Sequence, residues 1–161
     1  MAIYKVINEP GDYQNPEDVE NVIRYITSPT KVGSDGIFGG AVLLEIAADA
    51  MNCVTDLYHK KSGPRVRHSV LSFSTEEPIT LDQVKEVAQK CIGYYENDYQ
   101  IVAGVHEDKE HRHIHFAMST TSYRTGRKYC GDKADCYGFL KHMNQATAPY
   151  GIRVKRVKNA K

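Results

Sequence analysis

Four of the seven histidines fall within ten residues, in the run His106-Glu107-Asp108-Lys109-Glu110-His111-Arg112-His113-Ile114-His115. His113 and His115 stand at i and i+2 in a β-rich segment, so both imidazoles project from one side of a strand. Ile114, Phe116 and Met118 point to the other side, into a core. His106 ends the preceding strand, and a short polar turn folds it back beside the pair. Three neutral imidazoles converging from one hairpin hold a divalent metal ion and leave coordination positions open, as a catalytic metal requires. No cysteine joins the cluster, which argues against a closed structural site. Imidazole accepts magnesium, manganese or zinc, and the residues do not choose among them. His111 shares the phase of His113 but lies nearer the turn, where it orients a ligand rather than acting as one. The bland alternative is a polar sheet face of unlinked histidines.

These side chains need a scaffold. Ala2 to Ile7 is a short β-rich segment bounded by Asn8, Pro10 and Gly11, hence a strand. Asn15-Pro16-Glu17-Asp18 has a capping residue, a proline suited to a first turn and acids that complement the helix dipole. Val19, Val22, Ile23 and Ile26 then recur at helical spacing, and Pro29 stops the helix. Gly33 to Gly40 holds four glycines and reads as a mobile loop, the best candidate for a lid. Ala41 to about His59 reads as a second helix and Arg65 to Ser74 as a strand. Thr80-Leu81-Asp82-Gln83 is a capping box opening a third helix to about Glu96. Tyr99 to His106 and Arg112 to Thr120 form a hairpin. A helix over roughly Lys133 to Ala146 and a strand over Ile152 to Val157 follow. The fold class is therefore α+β: a largely antiparallel central sheet flanked by helices, expected to cover one face as a two-layer sandwich.

Length and composition bound the partners. The chain has 161 residues, which reads as one domain over 1–161. The net charge is +1 and argues for no partner, but its distribution does. Thr120 to Lys161 carries ten Lys/Arg against two Asp/Glu, a basic last quarter able to hold a polyanion. No apolar run approaches the roughly 18–20 residues of a membrane span. The N-terminus lacks the features of a signal peptide. The four cysteines are scattered, form no CxxC pair and read as reduced thiols, so a cytoplasmic location is expected.

Taken together, His106-x-Asp108-x-x-His111-x-His113-Ile114-His115-Phe116 resembles the histidine motif of the relaxase/mobilisation nuclease family, within the HUH endonucleases. Tyr25-Ile26-Thr27-Ser28-Pro29-Thr30-Lys31 resembles that family's nucleophile segment. His68-Ser69-Val70-Leu71-Ser72-Phe73-Ser74-Thr75-Glu76-Glu77 resembles its middle motif. The resemblance runs from about Tyr4 to Tyr150. It departs at Ser119, where the family often has Asn, and at Lys109-Glu110, where Thr-Asp is common.

The resemblance implies a metal-dependent DNA relaxase that cuts one strand at a plasmid or mobile-element transfer origin by transesterification. Tyr25 matches the attacking tyrosine, which leaves a 5′-phosphotyrosine link and a free 3′-OH. An ordinary phenol has a pKa of about 10, so reaching the phenolate near neutral pH costs roughly 4 kcal/mol, and a metal on the phosphate offsets that cost. The metal ligands would be His106, His113 and His115. Asp108 and His111 are candidates, by position only, to take the phenol proton. His68 and Ser72 share a strand face and can meet phosphates. Arg124, Arg127 and Lys128, with Arg153, Lys155, Arg156, Lys158 and Lys161, would contact the DNA backbone, and Tyr123 and Tyr129 could stack on bases. The implied partners are single-stranded or hairpin origin DNA and, by family analogy, a relaxosome accessory or coupling protein.

Two other readings compete. Tyr137-Gly138-Phe139-Leu140-Lys141 matches the YxxxK pattern of rolling-circle replication initiators and related transposases, which would make Tyr137 the nucleophile. A non-catalytic metal- or DNA-binding module would need neither tyrosine.

Overall fold

The computed structural model describes residues 1–107 and 110–158. In chain order its elements are β1 (Ala2–Val6), α1 (Pro16–Ile26), β2 (Val32–Gly40), α2 (Ala47–Leu57), β3 (Val66–Ser72), α3 (Leu81–Ile92), β4 (Ile101–His106), β5 (His113–Ser119), α4 (Lys133–Thr147) and β6 (Val154–Arg156). Short 3-10 turns at Leu44–Ile46 and Ala148–Tyr150 lead into α2 and out of α4.

The histidine hairpin lies inside the sheet, whose order is β2-β4-β5-β3-β1-β6. All pairings are antiparallel except β1 with β6. The fold is α+β with a largely antiparallel sheet flanked by helices, as the residue pattern implies.

The helices lie on both faces rather than one, so the sheet is the middle of three layers. The physical reason is that β4 and β5 are apolar in both phases. Ile101, Ala103, Val105, Ile114, Phe116 and Met118 face α3 and α4 in the larger core. Val102 and Ala117 alternate with them and join Val66 beneath α1 and α2. Strands buried on both sides lose the simple apolar-in, polar-out alternation.

Local chemistry sets the helix ends. Pro16 occupies the first turn of α1, and the Asn15 backbone N–H donates to the Asp18 carboxylate at 3.0 Å. Thr80 and Gln83 satisfy each other's backbone N–H groups at 3.2 and 3.0 Å in a reciprocal box at the start of α3. Asp132 caps α4 by accepting from the Asp135 N–H at 2.8 Å.

The glycine-rich segment expected to be a mobile loop is an edge strand. β2 pairs with β4 from Ile37↔Gly104 to Gly40↔Ile101, with an irregularity between Val32 and Ile37. Its glycines serve close approach: a Cβ on Gly40 would stand 2.8 Å from the Cβ of Glu96.

Candidate functional site

Strand pairing builds the site floor. His106 faces His113, and Gly104 faces His115. His115 faces Val70, and His113 faces Ser72. His68, two residues before Val70, shares their side of the sheet. The four side chains His68, His106, His113 and His115 therefore occupy the face that carries α1.

Tyr25 comes down on this floor from the last turn of α1. Its ring centroid lies 5.3 Å from that of His106, 5.4 Å from His115 and 6.1 Å from His68. The ring is 41% exposed, so the phenol is accessible from solvent. The Lys31 ammonium lies 5.3 Å from the same ring. The descent requires Gly104: a Cβ there would lie 2.3 Å from the Ile26 carbonyl oxygen. In place of a side chain, His106 Nε2 contacts that carbonyl at 3.1 Å. A carbonyl only accepts, so His106 carries its proton on Nε2.

Buried hydrogen bonds order the imidazoles. His68 Nε2 and His115 Nδ1 are 2.9 Å apart. The Tyr13 hydroxyl lies 3.3 Å from His68 Nδ1. Asn8 grips the His68 backbone, accepting from its N–H at 2.8 Å while its own amide donates to the Val66 carbonyl at 2.9 Å. Tyr13 adopts a left-handed backbone with φ 60°, a conformation with a steric cost for a bulky residue. Burial lowers the His68 pKa to about 4, with the neighbouring His106 contributing in the same direction. A cavity of about 180 Å³ beside this group is lined by Tyr13, Asp18, Asn21, Val22, Tyr25 and His68.

The expected metal ligands share this face. The rings of His106 and His115 stack with centroids 4.0 Å apart, and His113 lies 6.0 Å from His115. Three neutral imidazoles suit a divalent cation in type and number. Among the described residues, however, no three His, Cys, Asp or Glu side chains are arranged to hold one. The His106 ring contacts the Ile26 carbonyl and the His115 ring contacts His68.

The other expected residues divide. Ser72 lies on the histidine face opposite His113. His111 is exposed, with its ring 6.4 Å from that of His113. Asp108 lies outside the described residues. Arg124, Arg127 and Lys128 follow Ser119 at the other end of β5, about 20 Å from His113 at roughly 3.4 Å per residue. There Arg124 pairs with Asp98 at 3.6 Å, and Lys128 donates to the Pro64 carbonyl at 2.8 Å. Tyr137 is on α4, against the opposite face of the sheet, and so is not brought to the histidines. Ser119 is buried and pairs with Val66.

Asn8, Tyr13, Lys31 and Gly104 were not anticipated as site residues. A glycine inside an apolar strand is a recognised sign of close backbone approach and points to Gly104. Asn8 and Tyr13 reach the site only through long-range contacts, whereas Lys31 lies at the end of the Tyr25–Lys31 segment itself.

No helix among the described residues is long and apolar enough to cross a membrane. The family model for the nuclease domain of MobA/VirD2-like relaxases matches residues 25–152. Protein rlx of Staphylococcus aureus is 30% identical over 88 residues, covering 55% of this chain and 27% of that protein. The group II intron-interrupted relaxase LtrB of Lactococcus lactis subsp. cremoris is 24% identical over 142 residues, covering 71% of this chain and 25% of its own length. This chain thus spans about a quarter of the curated relatives it matches. With the match covering most of the chain and starting at the tyrosine that overhangs the histidines, the chain belongs to the MobA/VirD2-like relaxase family, in its nuclease domain.

Proposed function

We propose that this chain nicks and rejoins one DNA strand at the transfer origin of a plasmid or mobile element, with Tyr25 as nucleophile. The supporting observation is the solvent-open Tyr25 ring, 5.3 and 5.4 Å from the rings of His106 and His115.

In this reading the Tyr25 Oη–phosphorus bond forms as the bond from phosphorus to the 3′-oxygen breaks. The phenol proton leaves to solvent or a base, and the departing 3′-oxygen takes one up. The product is a 5′-phosphotyrosine, and attack by the 3′-hydroxyl on that ester restores the strand. Asp108 and His111 remain candidates for the base. The Lys31 ammonium lies beside the ring, and the α1 terminus holds the Tyr25 ring over the floor, which removes much of the orientational cost of attack.

A divalent cation held by His106, His113 and His115 would neutralise charge on the phosphate oxygens and on the leaving 3′-oxygen. His68, hydrogen-bonded to His115 Nδ1, orients that ring. In this reading Ser72, on the same face as His113, donates to a phosphate oxygen. The substrate in this reading is single-stranded or hairpin origin DNA, with an accessory or coupling protein as a further partner.

The test uses 3′-labelled single-stranded tiles of the cognate replicon with manganese or magnesium. Label should become attached to the protein on a denaturing gel, and mass spectrometry should locate the nucleotide on Tyr25. Tyr25→Phe should lose the adduct and Tyr137→Phe should keep it. An adduct that survives Tyr25→Phe overturns the assignment.

A further inference from the structure

Among the described residues the histidine face is only half covered. α1 rests on β3, β4 and β5, while α4 meets β6 from the other side. Across the uncovered half the register carries one row: His113 faces Ser72, Ser72 faces Ile3, and Ile3 faces Lys155. Directly paired residues share a face, and three strand spacings of roughly 4.8 Å put Lys155 about 14 Å from His113. In the next row Val70 faces both His115 and Lys5. Ile3, Lys5 and Lys155 are exposed.

Around the β6 edge from Lys155, on the α4 side of the sheet, lies a groove of about 680 Å³ between β6 and the first half of α4. Lys133, Arg153, Lys155, Arg156 and Lys158 line it, and no described carboxylate does. Tyr137 also lines it and is 71% exposed. Cations that track a backbone beside an open aromatic face are the composition that holds unpaired nucleic acid. An acidic peptide would satisfy the cations but would give no reason for the bare ring, or for a lane of small, apolar and basic side chains leading from the tyrosine site.

We propose that the β6–α4 groove is a second single-stranded DNA site. The strand leaving Tyr25 crosses the open sheet over Ser72, Ile3 and Lys5 and turns round the β6 edge at Lys155; its phosphates enter among the groove cations, and Tyr137 stacks on a base. The inference rests on the nicking reading above and gives the YxxxK tyrosine a binding role.

The test is photocrosslinking of the intact chain to an oligothymidylate of about thirty residues bearing 5-iodouracil, a length that exceeds one small binding site. Peptides containing Tyr137 should carry nucleotide in the wild type and equally in Tyr25→Phe. Crosslinks around Tyr25 and the histidines with none in the groove would overturn this site and leave the nicking reading standing. No crosslink or binding anywhere would overturn this site and leave the nicking reading to the test with cognate strands. Joint Lys155→Glu and Lys158→Glu substitution, at exposed positions, should weaken binding of the long oligomer about tenfold and reduce the log–log salt slope by roughly 1.4, from two lost phosphate contacts. Unchanged affinity in that variant overturns the proposal, as does polyglutamate competing as well as oligothymidylate, which would assign the groove to an acidic protein segment.

Discussion

The His106 imidazole donates its Nε2 proton to the Ile26 carbonyl at 3.1 Å, joining the end of β4 to the residue after Tyr25. The carbonyl is one of those left without an intrahelical partner at a helix C-terminus, where the dipole is negative. One side chain thus both belongs to the histidine group and fixes the height of the nucleophile. His106→Phe keeps a ring and removes the donor. It should cost about 1–3 kcal/mol in urea unfolding and reduce covalent adduct formation more than His111→Ala does. Equal adduct yields from the two variants would contradict this link.

Gly104→Ala tests the same approach from the strand side. The added methyl would lie 2.3 Å from the Ile26 carbonyl oxygen, and backbone rather than a flexible side chain must yield. Such overpacking costs about 1–3 kcal/mol, read from the urea midpoint. The variant should also lose adduct formation while keeping its circular dichroism spectrum. An alanine variant as stable and as active as the parent would show that α1 does not need this contact.

Cation binding should depend on rearrangement of the imidazoles. Titration calorimetry with manganese should show one binding event in the parent chain and a loss of about tenfold or more in affinity for His113→Ala and His115→Ala, with His68→Ala losing less. EDTA should stop adduct formation, and added manganese should restore it. Binding that is indifferent to His113 and His115 would place the cation elsewhere.

Much of this arrangement could be read from local pattern. Strand parity put His113, His115, His68 and Ser72 on shared faces, and the Thr80 box marked the start of α3. Features that depend on distant partners were hidden. The glycines of β2 imitate a loop until β4 is known to lie beside them. Asn8 and Tyr13 reach His68 across 60 and 55 residues, and no periodicity encodes such contacts. The basic last quarter reads as one feature because composition carries no direction. The fold divides it between a turn at the end of β5 and the outer edge at β6.

The cysteines give a check of the packing that is independent of chemistry at the site. Burial pushes the Cys91 thiol up to about 12, whereas Cys53 and Cys130 are exposed. Brief iodoacetamide treatment at pH 8 should label Cys53 and Cys130 first and reach Cys91 only after unfolding, because the thiolate is the reacting form. Peptide mapping that finds Cys91 among the early products would be inconsistent with its place in the core.

The parallel pairing of the first and last strands has a consequence for biosynthesis. Ala2 is registered with Val154 and Tyr4 with Arg156, so β1 cannot complete its hydrogen-bonding edge until β6 has left the ribosome. Contacts of such sequence separation form slowly because loop closure precedes any reward. The nascent chain therefore carries an incomplete sheet border from the emergence of β1 until that of β6, a period in which chaperone protection matters.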